Sequence, residues 1–327
     1  MIITRITAGM GNQMFMYAAG LSLSQRLNTE LKLDLLGFTS GSSRKYTLDT
    51  FPNITESPAT LREVWALAPF MAVADYFHVW GNSIFQHPFR RLLYEAMSRT
   101  GLLETGRAEH RKRTPGSGRA PIPFSRVYFP PDFSYSEEFG QIRDNTYITG
   151  YWESEKFFAG ISSLIRKKFT FPPECFDPEL SAEIKSSNSI AVHVRLGDKA
   201  AADKSHTPKV VSYLKSALCK IEELSDGPKF FVFSDDIDWC RKNLPVIHEA
   251  EYTYIGGAGG GYTPSQDMAL MTQCKHVITG PSTFSWWGAW LNDNPGKIII
   301  TPSVDIWHSN TEDRRDLLPD EWIKIGI

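Results

Sequence analysis

Three groups of polar residues stand where apolar strands should end: His193, Arg195 and Asp198; Ser234 and Asp235; Ser282 and Thr283. In the first, Ile190, Val192, Val194 and Leu196 alternate onto one face of a strand, and Ala191, His193 and Arg195 take the other. A buried strand accepts a His and an Arg two positions apart where they emerge at its carboxyl end, which in open α/β sheets faces the ligand crevice. The Arg195 guanidinium is a planar fork suited to phosphate, Gly197 lets a ligand approach the backbone, and Asp198 can orient Arg195. An edge strand with a surface Arg–Asp pair is the competing reading. Ser282 and Thr283 stand where a helix begins, so their hydroxyls and the free amides there form an anion site or an ordinary N-cap. Together with Arg195 such a helix start would hold a diphosphate without a metal. Asp236-Ile237-Asp238 has the form of a divalent-ion pair, but acids in a first helical turn already have a reason to be there. His206, His248, His276 and His308 lack ligand spacing.

The scaffold that would position these groups is legible as alternating strands and helices. Residues 1–36 read as strand, helix, strand: the first strand ends near Ile6, and Phe15, Ala18, Ala19, Leu21, Leu23 and Leu27 form a broad apolar helix face. The turn between them, Gly9-Met10-Gly11, stops short of a full dinucleotide fingerprint and is either a ligand-approach turn or a plain tight one. Helical spacing recurs over 84–103, followed by a basic loop over 104–123 that reads as a solvated face or a membrane-surface contact. Tyr147-Ile148-Thr149 is a strand, 161–169 a helix, and Pro172-Pro173 closes it in a linker near 170–175. Beyond lie strands at 189–195, 229–233, 252–255, 276–279 and, as the last, 297–301, with helices at 209–224, 237–244, 264–274 and 284–291. That rhythm predicts a parallel sheet whose polar strand ends converge on one crevice. The Gly256–Gly261 stretch is a lid or a linker, and Trp286, Trp287 and Trp290 are packing residues or an aromatic platform for a sugar.

Bulk properties narrow the class. A chain of 327 residues suggests two domains, and 42% hydrophobic with 22% charged residues reads as soluble and globular. A net charge of -2 gives no pull toward nucleic acid. The four cysteines have neither metal-ligand nor disulfide spacing; Cys219, Cys240 and Cys274 read as buried thiols, which fits a reducing cytoplasm. Neither a signal peptide nor a bilayer-spanning segment is visible.

Six motifs in order carry a family resemblance: Gly9-Met10-Gly11-Asn12-Gln13-Met14-Phe15, Gly150-Tyr151-Trp152-Glu153-Ser154-Glu155-Lys156-Phe157-Phe158, His193-Val194-Arg195-Leu196-Gly197-Asp198, Phe231-Val232-Phe233-Ser234-Asp235-Asp236, Asp267-Met268-Ala269-Leu270-Met271, and Ser282 to Leu291. The chain resembles the α-1,2-fucosyltransferases of glycosyltransferase family 11 over most of its length. The resemblance implies an α/β GT-B-like architecture, two Rossmann-like domains with parallel sheets facing across a cleft. Residues 1–170 would form the acceptor side and 171–327 the donor side, the last residues packing back on the first domain. It implies inverting transfer of L-fucose from GDP-fucose, without a metal or resident cofactor, to an oligosaccharide acceptor, free or lipid-linked. The acceptor position would be galactose O2 of a cell-surface glycan, at the inner face of a bacterial inner membrane. Carried onto this chain, Arg195 would neutralise the β-phosphate; His193, Ser234 and Asp235 would lie by the nucleoside; Gly197, Lys199, Ser282, Thr283 and Phe284 would line the diphosphate; Gly11 and Asn12 would sit near the transferred sugar. Asp198 would support Arg195, and the base would be Asp203, Glu153 or Glu155. Leu196 stands where many members carry a second Arg, Pro281 where Asn is usual, and Lys199 where an aromatic is common; Lys199 would restore the charge absent at 196. Two other classes compete: a non-catalytic nucleotide-sugar or glycan-binding module, and a metal-dependent GT-A-like transferase using Asp236 and Asp238.

Overall fold

Each half of the chain builds one parallel sheet. In the first, β1 (Ile2–Arg5), β2 (Leu31–Asp34), β3 (Val127–Tyr128) and β4 (Thr146–Ile148) pair in the order β2-β1-β4-β3. In the second, β5 (Ser189–Val194), β6 (Lys229–Ser234), β7 (Glu251–Ile255), β8 (His276–Ile278), β9 (Ile299–Pro302) and β10 (Ile323–Ile325) pair in the order β10-β9-β8-β5-β6-β7. The computed structural model describes residues 1–38, 44–69, 126–130, 133–196, 206–247, 250–255, 262–307 and 313–326. Parallel neighbours need crossovers, supplied among these residues by α1 (Met10–Leu27), α2 (Leu61–Leu67), α3 (Ser162–Lys168), α4 (Pro178–Ser186), α5 (His206–Leu224), α6 (Ile237–Asn243), α7 (Pro264–Gln273), α8 (Thr283–Leu291) and α9 (Val304–Trp307). The architecture is α/β and GT-B-like.

Strand order fixes where ligands can sit. It reverses between β1 and β4 in the first sheet and between β5 and β8 in the second. In open parallel sheets the crevice outside the carboxyl ends opens at such a reversal. β5 is interior, buried along its whole length between β6 and β8, so the edge-strand reading of His193 and Arg195 fails. Its two faces divide as the alternation predicts. Ile190, Val192, Val194 and Leu196 pack with the buried side of α5, and Ala191 faces a second cluster with Phe231, Phe233 and Val277.

That second cluster is continuous across both sheets. α1 is buried almost all round, and Phe15 lies 4.6 Å from the Trp286 ring and 4.9 Å from the Trp287 ring of α8. Each such fully buried side chain contributes about 1.5–3 kcal/mol, so the two halves share one core along the α1–α8 contact.

Two sequence expectations change, and a helix is added where none was assigned. The last strand is not 297–301 but β10, a three-residue edge strand in a turn-rich tail, too short to show alternation. α4 fills the stretch before β5, starting at an Asp177 cap that accepts from Leu180 N at 2.8 Å, with Pro178 at its first position. Cys240 and Cys274 are buried as expected, but Cys219 is exposed: Ala217 and Leu218 take the core side of α5, and the helical period turns the next residue outward. The helix expected over 84–103, the loop over 104–123 and the glycine stretch 256–261 lie outside the described residues. None of the described helices is long and apolar enough to cross a membrane.

Candidate functional site

The carboxyl ends of β8, β5 and β6 lie side by side, because these strands are consecutive neighbours roughly 4.8 Å apart. Arg195, just past β5, places Nη1 3.0 Å from the Asp235 carboxylate at the end of β6. The other Asp235 oxygen accepts from the Leu196 amide at 3.1 Å. Asp235 therefore fixes both the guanidinium and the backbone beneath it, a positioning task the sequence had offered to Asp198. Ser234 accepts from the Asp236 amide at 3.0 Å, and Asp236 caps α6 by accepting from Trp239 N at 2.9 Å. The Asp236–Asp238 pair is thus accounted for by a helix start. Among the described residues no group of three or more His, Cys, Asp or Glu is arranged to hold a metal ion. His193 is buried, with its ring 5.4 Å from that of Phe284. It fits because Gly280 faces it: a Cβ there would lie 2.8 Å from the His193 carbonyl oxygen and 3.2 Å from Nδ1. His276, given no role by its spacing, accepts from the Ile298 amide at 2.9 Å, and burial lowers its pKa.

Two helix N-termini, one from each half, meet beside these strand ends. Ser282 caps α8, accepting from Phe284 N at 3.3 Å. Thr283 donates to Asn12 Oδ1 at 2.6 Å, and Trp287 Nε1 donates to the Gly11 carbonyl at 3.0 Å. A Cβ on Gly11 would stand 2.5 Å from the Thr283 carbonyl carbon, so only glycine allows the two backbones this close. The positive ends of both helix dipoles point into one region. Ala8, in the turn leading into α1, is held at φ 63°, an uncommon conformation for a residue with a Cβ. The other indoles of α8 are ties as well: Trp286 Nε1 donates to the Leu317 carbonyl at 2.7 Å and Trp290 Nε1 to Glu155 at 2.9 Å. All three tryptophans are packing residues rather than a sugar platform.

Among the described residues, the two carboxylates of the central motif have partners, and one buried carboxylate oxygen elsewhere has none. Glu153 forms a buried ion pair with Arg314, and Glu155 receives Trp290. Both bases offered by the central motif are therefore committed to holding segments together. Asp267, in the first turn of α7, is different. Burial pushes its carboxyl up to about 7, and Oδ1 has no hydrogen-bond partner among the described residues. Sequence reasoning placed Asp267 in a motif of the family resemblance and in a first helical turn, and gave it no role in the site. The available signal was positional, since α7 is the element that follows β7 along the chain. Gly197, Asp198, Lys199 and Asp203 lie outside the described residues.

Comparison with known proteins now bears on this geometry. The profile described as Glycosyl transferase family 11 matches residues 135–326, more than half of the chain. The chain belongs to glycosyl transferase family 11. Relatives of similar length include an alpha-1,2-colitosyltransferase of Escherichia coli, 28% identical over 99% of this chain and 98% of that one. The O-antigen biosynthesis glycosyltransferase WbnK of Escherichia coli is 25% identical over 98% of this chain and 99% of its own. Human galactoside alpha-(1,2)-fucosyltransferase 1 is 30% identical over 48% of this chain and 46% of its own length. Among solved structures, the fucosyltransferase NodZ from Bradyrhizobium aligns with 88% of this chain and 91% of its own at 19% identity and a TM-score of 0.46.

Proposed function

We propose that this glycosyltransferase moves L-fucose from GDP-β-L-fucose to a galactose 2-hydroxyl of a glycan, inverting the anomeric centre without a metal. The observation that carries the reading is the Arg195–Asp235 pair at the β5–β8 reversal, opposite the joined starts of α1 and α8. In this reading the acceptor oxygen attacks C1 of fucose, the bond from C1 to the β-phosphate oxygen breaks, and the electron pair leaves with GDP. Arg195 and the helix amides stabilise the charge that develops on the diphosphate. The hydroxyl proton passes to a carboxylate, for which Asp203 remains the proposed base. His193 and Phe284 would flank the nucleoside. Asp267 would receive the N1–H and 2-amino donors of guanine, the edge that distinguishes it from adenine, and its buried, unpartnered Oδ1 supports this role.

A second donor is favoured by the full-length relative named for colitose, which is L-fucose without its 3-hydroxyl. Calorimetric titration with GDP, GDP-fucose and GDP-colitose, each with and without chelator, separates the readings. We expect chelator-insensitive GDP binding that weakens roughly 10- to 100-fold in Arg195→Ala, as a lost charge-assisted contact should. The sugar nucleotide that is also turned over names the donor. Absence of GDP binding by the folded wild-type protein overturns the donor assignment. GDP binding without turnover of either sugar nucleotide, with a range of acceptors, would favour a binding module.

A further inference from the structure

The first sheet has its own reversal, between β1 and β4, and the chain leaving β4 there is strained. Trp152 sits at φ 53°, an outlier for a bulky side chain. The Ser154 amide closes a tight turn onto the Trp152 carbonyl at 2.7 Å. Gly150 lies against Pro130 so closely that a Cβ would come within 2.7 Å of its ring. The Trp152 indole N–H is buried with no partner among the described residues. Strain of this kind persists where surrounding contacts over-determine it, and it clusters at sites that bind or react.

Its consequence is the placement of Tyr151. With Trp152 turned into the core among Tyr128, Phe139 and Phe157, Tyr151 is turned out and is 40% exposed. It is not loose, because its ring lies parallel to that of Phe133, 5.9 Å away at 12°. The Arg314 guanidinium sits 3.8 Å over Phe133 and is fixed in turn by buried Glu153. An exposed aromatic ring is thereby backed by a rigid stack, on the same sheet edge as the Gly9–Asn12 turn.

We propose that Tyr151, backed by Phe133, is the platform for the acceptor sugar, stacking on the C3–C4–C5 face of a β-galactoside. That face of galactose is a contiguous patch of C–H groups, because its 4-hydroxyl is axial and points to the other side. Stacking there leaves the 2-hydroxyl at the ring edge, clear to turn toward Asn12 and the donor. The inference rests on the proposed galactoside acceptor and deepens it.

The test is transfer from GDP-fucose to lactose and to Gal-β1,3-GlcNAc, with GDP binding measured alongside. In Tyr151→Ala we expect acceptor KM to rise about tenfold or more while kcat changes little, GDP affinity stays at the wild-type value, and Tyr151→Phe keeps the wild-type KM. Tyr151→Leu, which retains volume without a ring, should match Tyr151→Ala and guards against a local collapse. An unchanged acceptor KM in both Ala and Leu variants overturns the platform, as does a parallel loss of GDP affinity. A wild-type protein that binds GDP yet neither binds nor fucosylates either galactoside overturns the ligand assigned to it. Wild-type protein that binds no GDP fails at the donor reading instead, so the two failures are distinguishable.

Discussion

Asp267 is a carboxyl group that the fold holds at a cost. Its unfolded pKa is near 3.8 and its folded pKa is pushed up to about 7 by burial. Where both states are protonated, in acid, it costs nothing. As pH rises through this interval the unfolded chain ionises first, and the folded state loses stability, on the order of a few kcal/mol once the folded group would also be charged. Asp267→Asn, neutral and isosteric, should therefore melt higher than wild type at pH 8, with the gain shrinking toward pH 5. Thermal melts at the two values measure it, and equal gains at both would remove the burial argument. If the carboxylate receives guanine, the same variant must bind GDP more weakly. Wild-type affinity for GDP should also rise between pH 6 and pH 8 as the proton leaves, a slope absent from the Asn variant. A stabilised protein that has lost ligand is the signature of a group retained for binding. Its position at a helix start was legible in sequence but its enclosure was not, because an acid in a first helical turn looks the same whether it is solvated or enclosed.

At the scale of elements, the α1–α8 contact makes two glycines of one motif unequal. Gly9 has φ -81° and nothing within 4 Å of a Cβ position, whereas a Gly11 Cβ would strike the Thr283 backbone. Gly9→Ala should cost below about 1 kcal/mol, the price of a poorer N-cap. Gly11→Ala must push two helix starts apart, with an overpacking cost of about 1–3 kcal/mol and a larger loss of transfer, since the diphosphate and the sugar would no longer face one fixed pair of helix ends. Melting temperature and kcat for the two variants decide the matter; equal behaviour would show that the contact does not position the site. β6 was readable as a continuous apolar run ended by polar residues, β8 as a short apolar pair before Thr279, and β5 because it alternates over two different clusters. The glycine turn was readable only as a turn. What Gly11 meets is 272 residues further along the sequence, and local pattern contains no signal for it. Gly280 was likewise invisible as the space into which His193 fits, and Asp235 as the carboxylate that holds Arg195.

Over the whole molecule, the tail after β9 returns to the first half through two ion pairs of opposite polarity and different surroundings. Arg314 and Glu153 are 5% and 6% exposed, and Arg314 also covers Phe133. Lys156 and Asp316 join the same two segments, but Lys156 is 55% exposed. Removing one member of a buried pair strands a charge away from water and costs about 3–5 kcal/mol, whereas an exposed pair is worth about 0–1 kcal/mol. Arg314→Ala should therefore destabilise several-fold more than Lys156→Ala. A double-mutant cycle should give a large coupling for Glu153 with Arg314 and a small one for Lys156 with Asp316. The cycle also tests chemistry: Glu153 lies in the motif that offered a base. If it serves only to hold the tail, the paired replacement Glu153→Leu with Arg314→Leu should recover stability and part of the transfer rate that either single change removes. Recovery of stability with no recovery of rate at saturating acceptor would return Glu153 to the list of bases. That arrangement also makes Tyr151 depend on the tail, because the stack behind it ends at Arg314. Loss of the pair should therefore raise acceptor KM before it weakens GDP binding, an order of failure that kinetics and titration on Arg314→Met can read directly.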